Sequence, residues 1–398
     1  MKVETGKGEI SLAALWGIWS VSALTSLPGL AVSPILDKIS HIFPSSSQID
    51  VQLLTSLPSL MIIPFVLITG HITEKVGYFK TLACGLWVFM ISGVLYLLCT
   101  DMWQLIVVSA LLGVGAGIII PLSTSLISRF FIGDYRTQQF GYSSAITNIT
   151  LVLATALTGY LAEVEWKLPF VVYLFPIFSI VLLPFIRRAD SGRVIEEHNR
   201  VSVSKGIDYG KLIQYMLYYF IVTYLTVIVS FNLPYLMGEY GFDSGTSGLM
   251  ISLFFLAIML PGFFLPSILR FMSGKVERSS LLMIMVGLLV IYLFKSLLSI
   301  ALGCVVMGVG YGIVQPYLYD RVSSVASSQR VTFALALLMS VNYVAILVSP
   351  FVIDNVQEFM HVSSQRFAFG FNVVISILSL IAMLIRRVII YKNHKEYS

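Results

Sequence analysis

Gly113-Val114-Gly115-Ala116-Gly117-Ile118-Ile119-Ile120-Pro121 returns later in the chain as Gly308-Val309-Gly310-Tyr311-Gly312-Ile313-Val314-Gln315-Pro316. The three glycines and the proline all keep one offset, 195 residues, which is almost half of the 398-residue length. Other marks repeat close to that spacing. Arg136 and Asn148 are answered by Arg330 and Asn342, and Thr100-Asp101 by Lys295-Ser296. Trp166-Lys167, ahead of an apolar run, is answered by Arg366-Phe367. A chain made of two related apolar halves is expected to hold its ligand where the halves meet.

The surroundings of these stretches set the solvent. The chain is 57% hydrophobic and 11% charged, with a mean hydropathy of +0.90, whereas a water-soluble protein carries about 25% charged residues. A bilayer core of roughly 30 Å needs about 20 apolar residues per helix. Runs of that length recur throughout and predict twelve helices, near 11–33, 51–70, 81–99, 103–127, 139–162, 168–187, 212–236, 246–269, 279–295, 298–319, 331–353 and 366–387. The fold class is therefore all-α integral membrane, twelve transmembrane helices in two pseudo-symmetric six-helix bundles. The first bundle is read at 1–187, a polar cytoplasmic linker at 188–211 and the second bundle at 212–398.

The formal charge of +5 does not point to nucleic acid, because of where it sits. With the N-terminus inside, only Lys38, Lys167, Lys295 and Arg366 of the 25 Lys and Arg residues fall in outer loops. Asp and Glu are split nearly evenly. That bias of basic residues alone places both termini in the cytoplasm, in a cell (plasma or inner) membrane. The run after Lys7 passes Pro28 without a small-residue cleavage site and reads as the first spanning helix.

Several chemistries find no support. Cys84, Cys99 and Cys304 lie in apolar runs without metal-ligand spacing or an evident pairing and read as small buried hydrophobes. The five histidines are scattered over loops, and no paired carboxylate or Ser/Lys dyad stands at membrane depth, so an embedded enzyme is not expected. The Gly-x-Gly-x-Gly rows follow no strand, which removes the dinucleotide reading. In membrane helices such rows let neighbours come close. Asn148-Ile149-Thr150 matches a glycosylation sequon but lies inside a predicted helix.

Charges inside the spans, the usual pointer to ion and substrate paths, are scarce. Asp37, Asp50 and Asp320 are the carboxylates available for proton coupling. The remaining polar residues of the central spans are neutral or aromatic: Asn148, Asn342, Tyr343, Gln315, Asn232, Tyr224 and Trp19. A buried amide must be paired in hydrocarbon, so each either binds a solute or joins two helices.

The turn after the second helix, Gly70-His71-Ile72-Thr73-Glu74-Lys75-Val76-Gly77-Tyr78-Phe79-Lys80, resembles the loop motif of the major facilitator superfamily. Gly70, Glu74, Lys75, Gly77 and Lys80 match it. Tyr78 and Phe79 stand where basic residues are common. The resemblance extends along the chain, through Thr25–Pro34, Arg129–Gly141 and Trp166–Phe170, and is nearest to the twelve-helix drug and metabolite exporters. It implies that the loop is a cytoplasmic latch, with Glu74 engaging Arg136 or the start of helix 11. Two departures stand against standard proton-for-drug exchange. Ser109 precedes Gly113 by four residues where proton-coupled members often have Arg, and Ala154-Thr155 replaces a Gly-Pro pair in helix 5.

The function expected is secondary transport by alternating access, by a chain without cofactors and read as a monomer. The partners are a small organic solute, lipid and, as coupling ion, protons or another ion. Export comes first and uptake of a sugar-like nutrient second. A membrane sensor or a lipid scramblase is the reading from another class.

Overall fold

A computed structural model describes residues 2–28, 35–46, 48–197, 206–272, 274–327, 329–362 and 364–396. A short antiparallel hairpin comes first, β1 (Lys2–Glu4) with β2 (Glu9–Ser11), in register Val3 to Ile10. The rest of the described chain is predominantly helical. In order these helices are α1 (Leu12–Ala23), α2 (Leu36–Ile42), α3 (Gln48–Val76), α4 (Tyr78–Leu98), α5 (Met102–Phe130), α6 (Gly133–Val164) and α7 (Pro176–Glu197). They continue as α8 (Tyr209–Phe231), α9 (Leu233–Glu239), α10 (Ser244–Phe263), α11 (Leu265–Met272), α12 (Val276–Leu293), α13 (Leu297–Val325), α14 (Val331–Phe359) and α15 (Arg366–Glu396). Among the described residues eleven helices are long and apolar enough to cross a membrane, and Leu12–Ser26 is a shorter apolar twelfth. Large apolar side chains such as Trp103 (65% exposed) and Leu298 (72%) stand on the outside, where only lipid removes them from water.

The helix ends differ from the sequence reading where proline intervenes. The first span was expected to run to 33, but α1 stops at Ala23 and a 3-10 turn, Leu24–Ser26, follows. Pro28 has no N–H with which to continue the ladder, and residues 29–34 lie outside the described set. The seventh span breaks at Asn232, two residues before Pro234. The eighth breaks at Phe264, between Pro261 and Pro266. Span six opens as a 3-10 turn, Leu168–Leu174, before α7, which runs on to Glu197 inside the stretch read as linker. Cys84, read as buried, is exposed on α4; Cys99 and Cys304 are buried.

The chain falls into two compact units. One gathers Met1–Met216 with Tyr317–Tyr343, the other Leu217–Pro316 with Val344–Ser398. Inside each, the glycine row does one job. In the first, a Cβ on Gly113 would stand 2.6 Å from Pro58 O, one on Gly117 3.0 Å from Ile62 O, and one on Gly115 2.7 Å from Phe89 N. Thus α5 presses two glycines on α3 and one on α4. In the second, a Cβ on Gly308 would stand 2.6 Å from Phe254 O, one on Gly312 would fall against Ile258 O, and one on Gly310 would stand 3.0 Å from Ser280 O and 3.1 Å from Ile284 Cγ1. There α13 presses two glycines on α10 and one on α12. Phe89 and Ile284 stand 195 residues apart, the offset of Gly115 and Gly310 themselves. The sequence repeat is a repeat of packing, with missing side chains allowing backbone-to-backbone approach.

Charged residues near the second unit's helix ends serve as caps. Arg366 donates from Nε to Tyr292 O (2.7 Å) and from Nη2 to Leu293 O (3.2 Å), with its guanidinium 5.1 Å from the Tyr292 ring centre. A cation there satisfies the carbonyls ending α12 and opposes its dipole. Glu239, ending α9, accepts from Gln365 N (2.9 Å) and Ser364 Oγ (2.7 Å) ahead of α15.

Candidate functional site

The first unit contains ends of α3, α5, α6, α13 and α14 together with the α3–α4 turn. Gly77 in that turn has φ +97°, a backbone that favours glycine over any side chain. Gly70 lets α3 close on α14, since a Cβ there would lie 3.0 Å from Phe333 Cδ2 and 3.1 Å from Ala336 Cβ. His71 then sits edge-on to Phe333 at 5.1 Å. Arg136, in the first turn of α6, donates from Nε to Asp320 Oδ1 on α13 at 2.7 Å, with both side chains under one-fifth exposed. Phe140, one turn on, packs on Tyr319 at 5.9 Å. Ser128 on α5 and Ser323 on α13 share a hydrogen bond of 2.6 Å. These serines are themselves 195 residues apart, so the two copies of the repeat meet through equivalent residues.

The expected latch contact of Glu74 falls outside what the structure describes. Lys75 and Lys80 are exposed. The side chain of Glu74 lies outside the described residues, and the partner described for Arg136 is Asp320. Tyr78 and Phe79, the departures from the family motif, carry a different cation. Arg129 stands 5.4 Å and 5.9 Å from their ring centres and grips Asp190 with two bonds, at 2.6 Å and 2.7 Å. Aromatic faces attract a guanidinium where more basic residues would repel it. Tyr78 OH donates to Leu122 O and shares a 2.9 Å hydrogen bond with Ser125, which ties the start of α4 to α5.

A neutral polar seam joins α1 to α6 in the same unit. Trp19 Nε1 donates to Gln139 Oε1 at 2.9 Å, and its ring lies edge-on to Tyr142 (6.1 Å) and Trp16 (5.5 Å). Thr147 Oγ1 donates to Ser22 O at 3.1 Å, while Ser26 Oγ donates to Thr147 O at 2.9 Å. Ser123 on α5 reaches Ser22 at 3.2 Å. Asn148 is half-buried and donates within its own helix to Ser144 O at 2.8 Å. Asn342 and Tyr343 are half-buried on α14 in this unit.

Gln315, Tyr224 and Asn232 belong to the second unit. Gln315 is half-buried. Tyr224 is buried and stacks on Phe220 at 6.3 Å. Asn232, 6% exposed, donates from Nδ2 to Gln365 Oε1 at 3.1 Å, so its amide holds the α8–α9 break to the turn before α15. Of the three candidate coupling acids, Asp320 is committed to Arg136. Asp50 is half-buried at the start of α3, and the side chain of Asp37 lies outside the described residues. Reading the sequence missed Gln139, Thr147, Ser22, Ser128, Asp190 and Ser323. The repeat offset could have found the two paired serines; nothing local marked the others.

The seam makes one prediction. Gln139→Leu leaves the Trp19 indole N–H without its acceptor, at a cost of about 1–3 kcal/mol. A lower melting temperature of the detergent-solubilised protein is the expected result; an unchanged one would show that water takes over as acceptor.

Relatives share parts of this chain. A 115-residue stretch is 29% identical to the quinolone resistance protein NorA of Staphylococcus aureus, covering 29% of this chain and 29% of that protein. Over 138 residues the chain is 30% identical to the multidrug transporter protein MdtP of Bacillus subtilis (strain 168), which is 34% of this chain and 25% of MdtP. The matched stretches thus span less than a third of either relative. Among solved structures, the human organic anion transporter MFSD10 superposes with a TM-score of 0.71 at 16% identity, over 93% of this chain and 97% of that one. The proton:xylose symporter XylE superposes with a TM-score of 0.74 at 12% identity, over 94% of each chain. At such identities the likeness is one of fold. The match to the Major Facilitator Superfamily itself runs over residues 14–350, and with its repeated glycine packing this multi-pass membrane protein belongs to that superfamily.

Proposed function

We propose that this transporter exports a small amphipathic or uncharged organic solute by alternating access, with bundles 1–187 and 212–398 as the moving bodies. The observation that carries the reading is the seam of Trp19, Gln139, Tyr142, Thr147 and Ser22. It offers hydroxyl, amide and aromatic groups and no formal charge. A solute with a flat apolar body and one or two polar atoms suits it; a multiply charged anion would lose hydration without a cation to replace it. The relatives named for quinolone resistance and multidrug transport support a drug-like solute and the outward direction. In this reading the chain sits in the plasma membrane with both termini and the α3–α4 turn on the cytoplasmic side. The Arg136–Asp320 pair is then a gate that opens when the solute enters from within.

Energised, everted membrane vesicles should accumulate a fluorescent lipophilic dye only when they contain the chain. Dye uptake equal to that of empty vesicles, together with sugar entry into intact cells, would replace export by nutrient uptake. Where the coupling ion is a proton, Asp37 is the carboxylate proposed to carry it. Asp37→Asn is expected to abolish pH-driven flux and to leave solute counterflow; unchanged pH dependence would remove it from the mechanism.

A further inference from the structure

Two segments that enter the repeats end on the gate. In the first, the turn between β1 and β2 is held by Thr5, which is fully buried and donates from N and Oγ1 to Gly8 O at 2.9 Å and 2.7 Å. Thr5 O in turn accepts from Ile132 N at 3.1 Å, and Glu4 Oε2 accepts from Tyr135 OH at 2.7 Å. Ile132 is the N-cap of α6, and no side chain caps that helix; the hairpin's carbonyl fills one of the positions a cap would serve. Ile132 O then accepts from Arg136 N at 3.4 Å. One continuous line of hydrogen bonds therefore runs from the hairpin through Ile132 and Arg136 to Asp320.

The second segment repeats the device. Asp208, just ahead of α8, donates from N to Val325 O at the end of α13 (3.1 Å), five residues beyond Asp320. Its carboxylate is fixed by Lys211, accepting from the backbone N at 3.1 Å and from the ammonium at 3.2 Å. Its neighbour Ile207 is buried. The segment leading into the first half-chain is thus bonded to the start of α6, and the segment leading into the second to the end of α13, each within about one turn of the Ser128–Ser323 contact. All of these residues belong to the first unit.

We propose that the β1–β2 hairpin and the 206–211 segment are paired straps that position the two halves of the gate. Glu4, Thr5 and Tyr135 hold the Arg136 side, and Asp208 holds the Asp320 side. Residues 206–211 are then part of the gate's control, because tension or release at either strap changes how readily the ion pair forms. This rests on reading Arg136–Asp320 as a gate and adds the residues that regulate it.

The test uses the intact chain in membranes, with Cys84, Cys99 and Cys304 replaced by Ala and with Ser128→Cys and Ser323→Cys introduced. Disulfide formation between the new thiols reports closure. Tyr135→Phe deletes one strap bond and is expected to slow cross-linking about threefold to tenfold, the shift one lost hydrogen bond gives a two-state equilibrium; Asp208→Pro deletes the bond to Val325 together with the carboxylate's hold on Lys211 and should slow it at least as much. With Asp320→Asn also present, the same substitutions should add nothing further. Cross-linking unchanged in both variants, or slowed equally with and without Asp320→Asn, would overturn the proposal. Gly6→Val is the second probe of the hairpin, since Gly6 has φ +79° and a Cβ there would lie 2.8 Å from Ile132 Cγ1. A loss of folded protein at unaltered cross-linking rate would count against it as well. No solute enters this assay, so a clear strap effect without dye flux would sink export and leave the straps standing.

Discussion

Arg136→Ala is expected to cut transport more than tenfold while the protein still reaches the membrane. The guanidinium and the Asp320 carboxylate meet at 2.7 Å with 17% and 16% of their side chains exposed, well sheltered from the water that screens surface pairs. Removing one partner leaves the other charge desolvated and unmatched, a cost of about 2–3 kcal/mol for a pair buried to this degree. Only the closed arrangement bears that cost, because an open gate lets water reach Asp320. A difference of that size moves a two-state equilibrium by roughly 30- to 150-fold. The Ser128/Ser323 cysteine pair should then cross-link slowly, and dye flux should fall with it. Exchanging the charges, Arg136→Asp with Asp320→Arg, should recover part of both. Normal flux and normal cross-linking in Arg136→Ala would show that the pair is ornamental to the cycle.

Gly312→Ala is the second large effect, and it acts on folding. The added methyl would fall against Ile258 O and sit 2.9 Å from its carbonyl carbon and Cα. Those atoms are main chain, so no rotamer change relieves the clash and α10 and α13 must move apart. Overpacking of this kind costs about 1–3 kcal/mol, and the contact with a rigid carbonyl places it at the upper end. Gly113→Ala, which would meet Pro58 O at 2.6 Å and Pro58 Cα at 2.7 Å, should behave alike in the first unit. Gly159→Ala is the control, with nothing within 4 Å of its added methyl; helix propensity there favours Ala by up to about 1 kcal/mol. Thermal melting in detergent orders the three. A Gly312→Ala protein as stable as the parent would mean that the helices are not in backbone contact.

The sequence reading succeeded where information is local. Runs of apolar residues marked the spans, and the offset from Gly113 to Gly308 marked the halves before any contact was known. It was incomplete where a residue's role depends on a distant partner. Tyr78 and Phe79 read as an incomplete motif until Arg129 and Asp190 are placed beside them. Asp320 read as a coupling acid because nothing within its own helix announces Arg136. Asn232 read as a solute ligand; its Nδ2 donates to Gln365, more than a hundred residues away, which no local pattern announces. The hairpin of residues 2–11 escaped notice altogether, since three-residue strands carry almost no periodicity.

What could be read along the chain alone was the solvent, the number of spans and the twofold plan, because hydrocarbon demands helix-length apolar runs and glycine rows announce close neighbours wherever they lie. The choice of partners could not be read that way. Several arginines, carboxylates and amides are chemically equivalent candidates for one another, and hydrogen bonds discriminate over fractions of an ångström. Only the packing of α3, α5, α6, α13 and α14 into one unit brings Arg136 to Asp320 and Ser128 to Ser323 in preference to the rest.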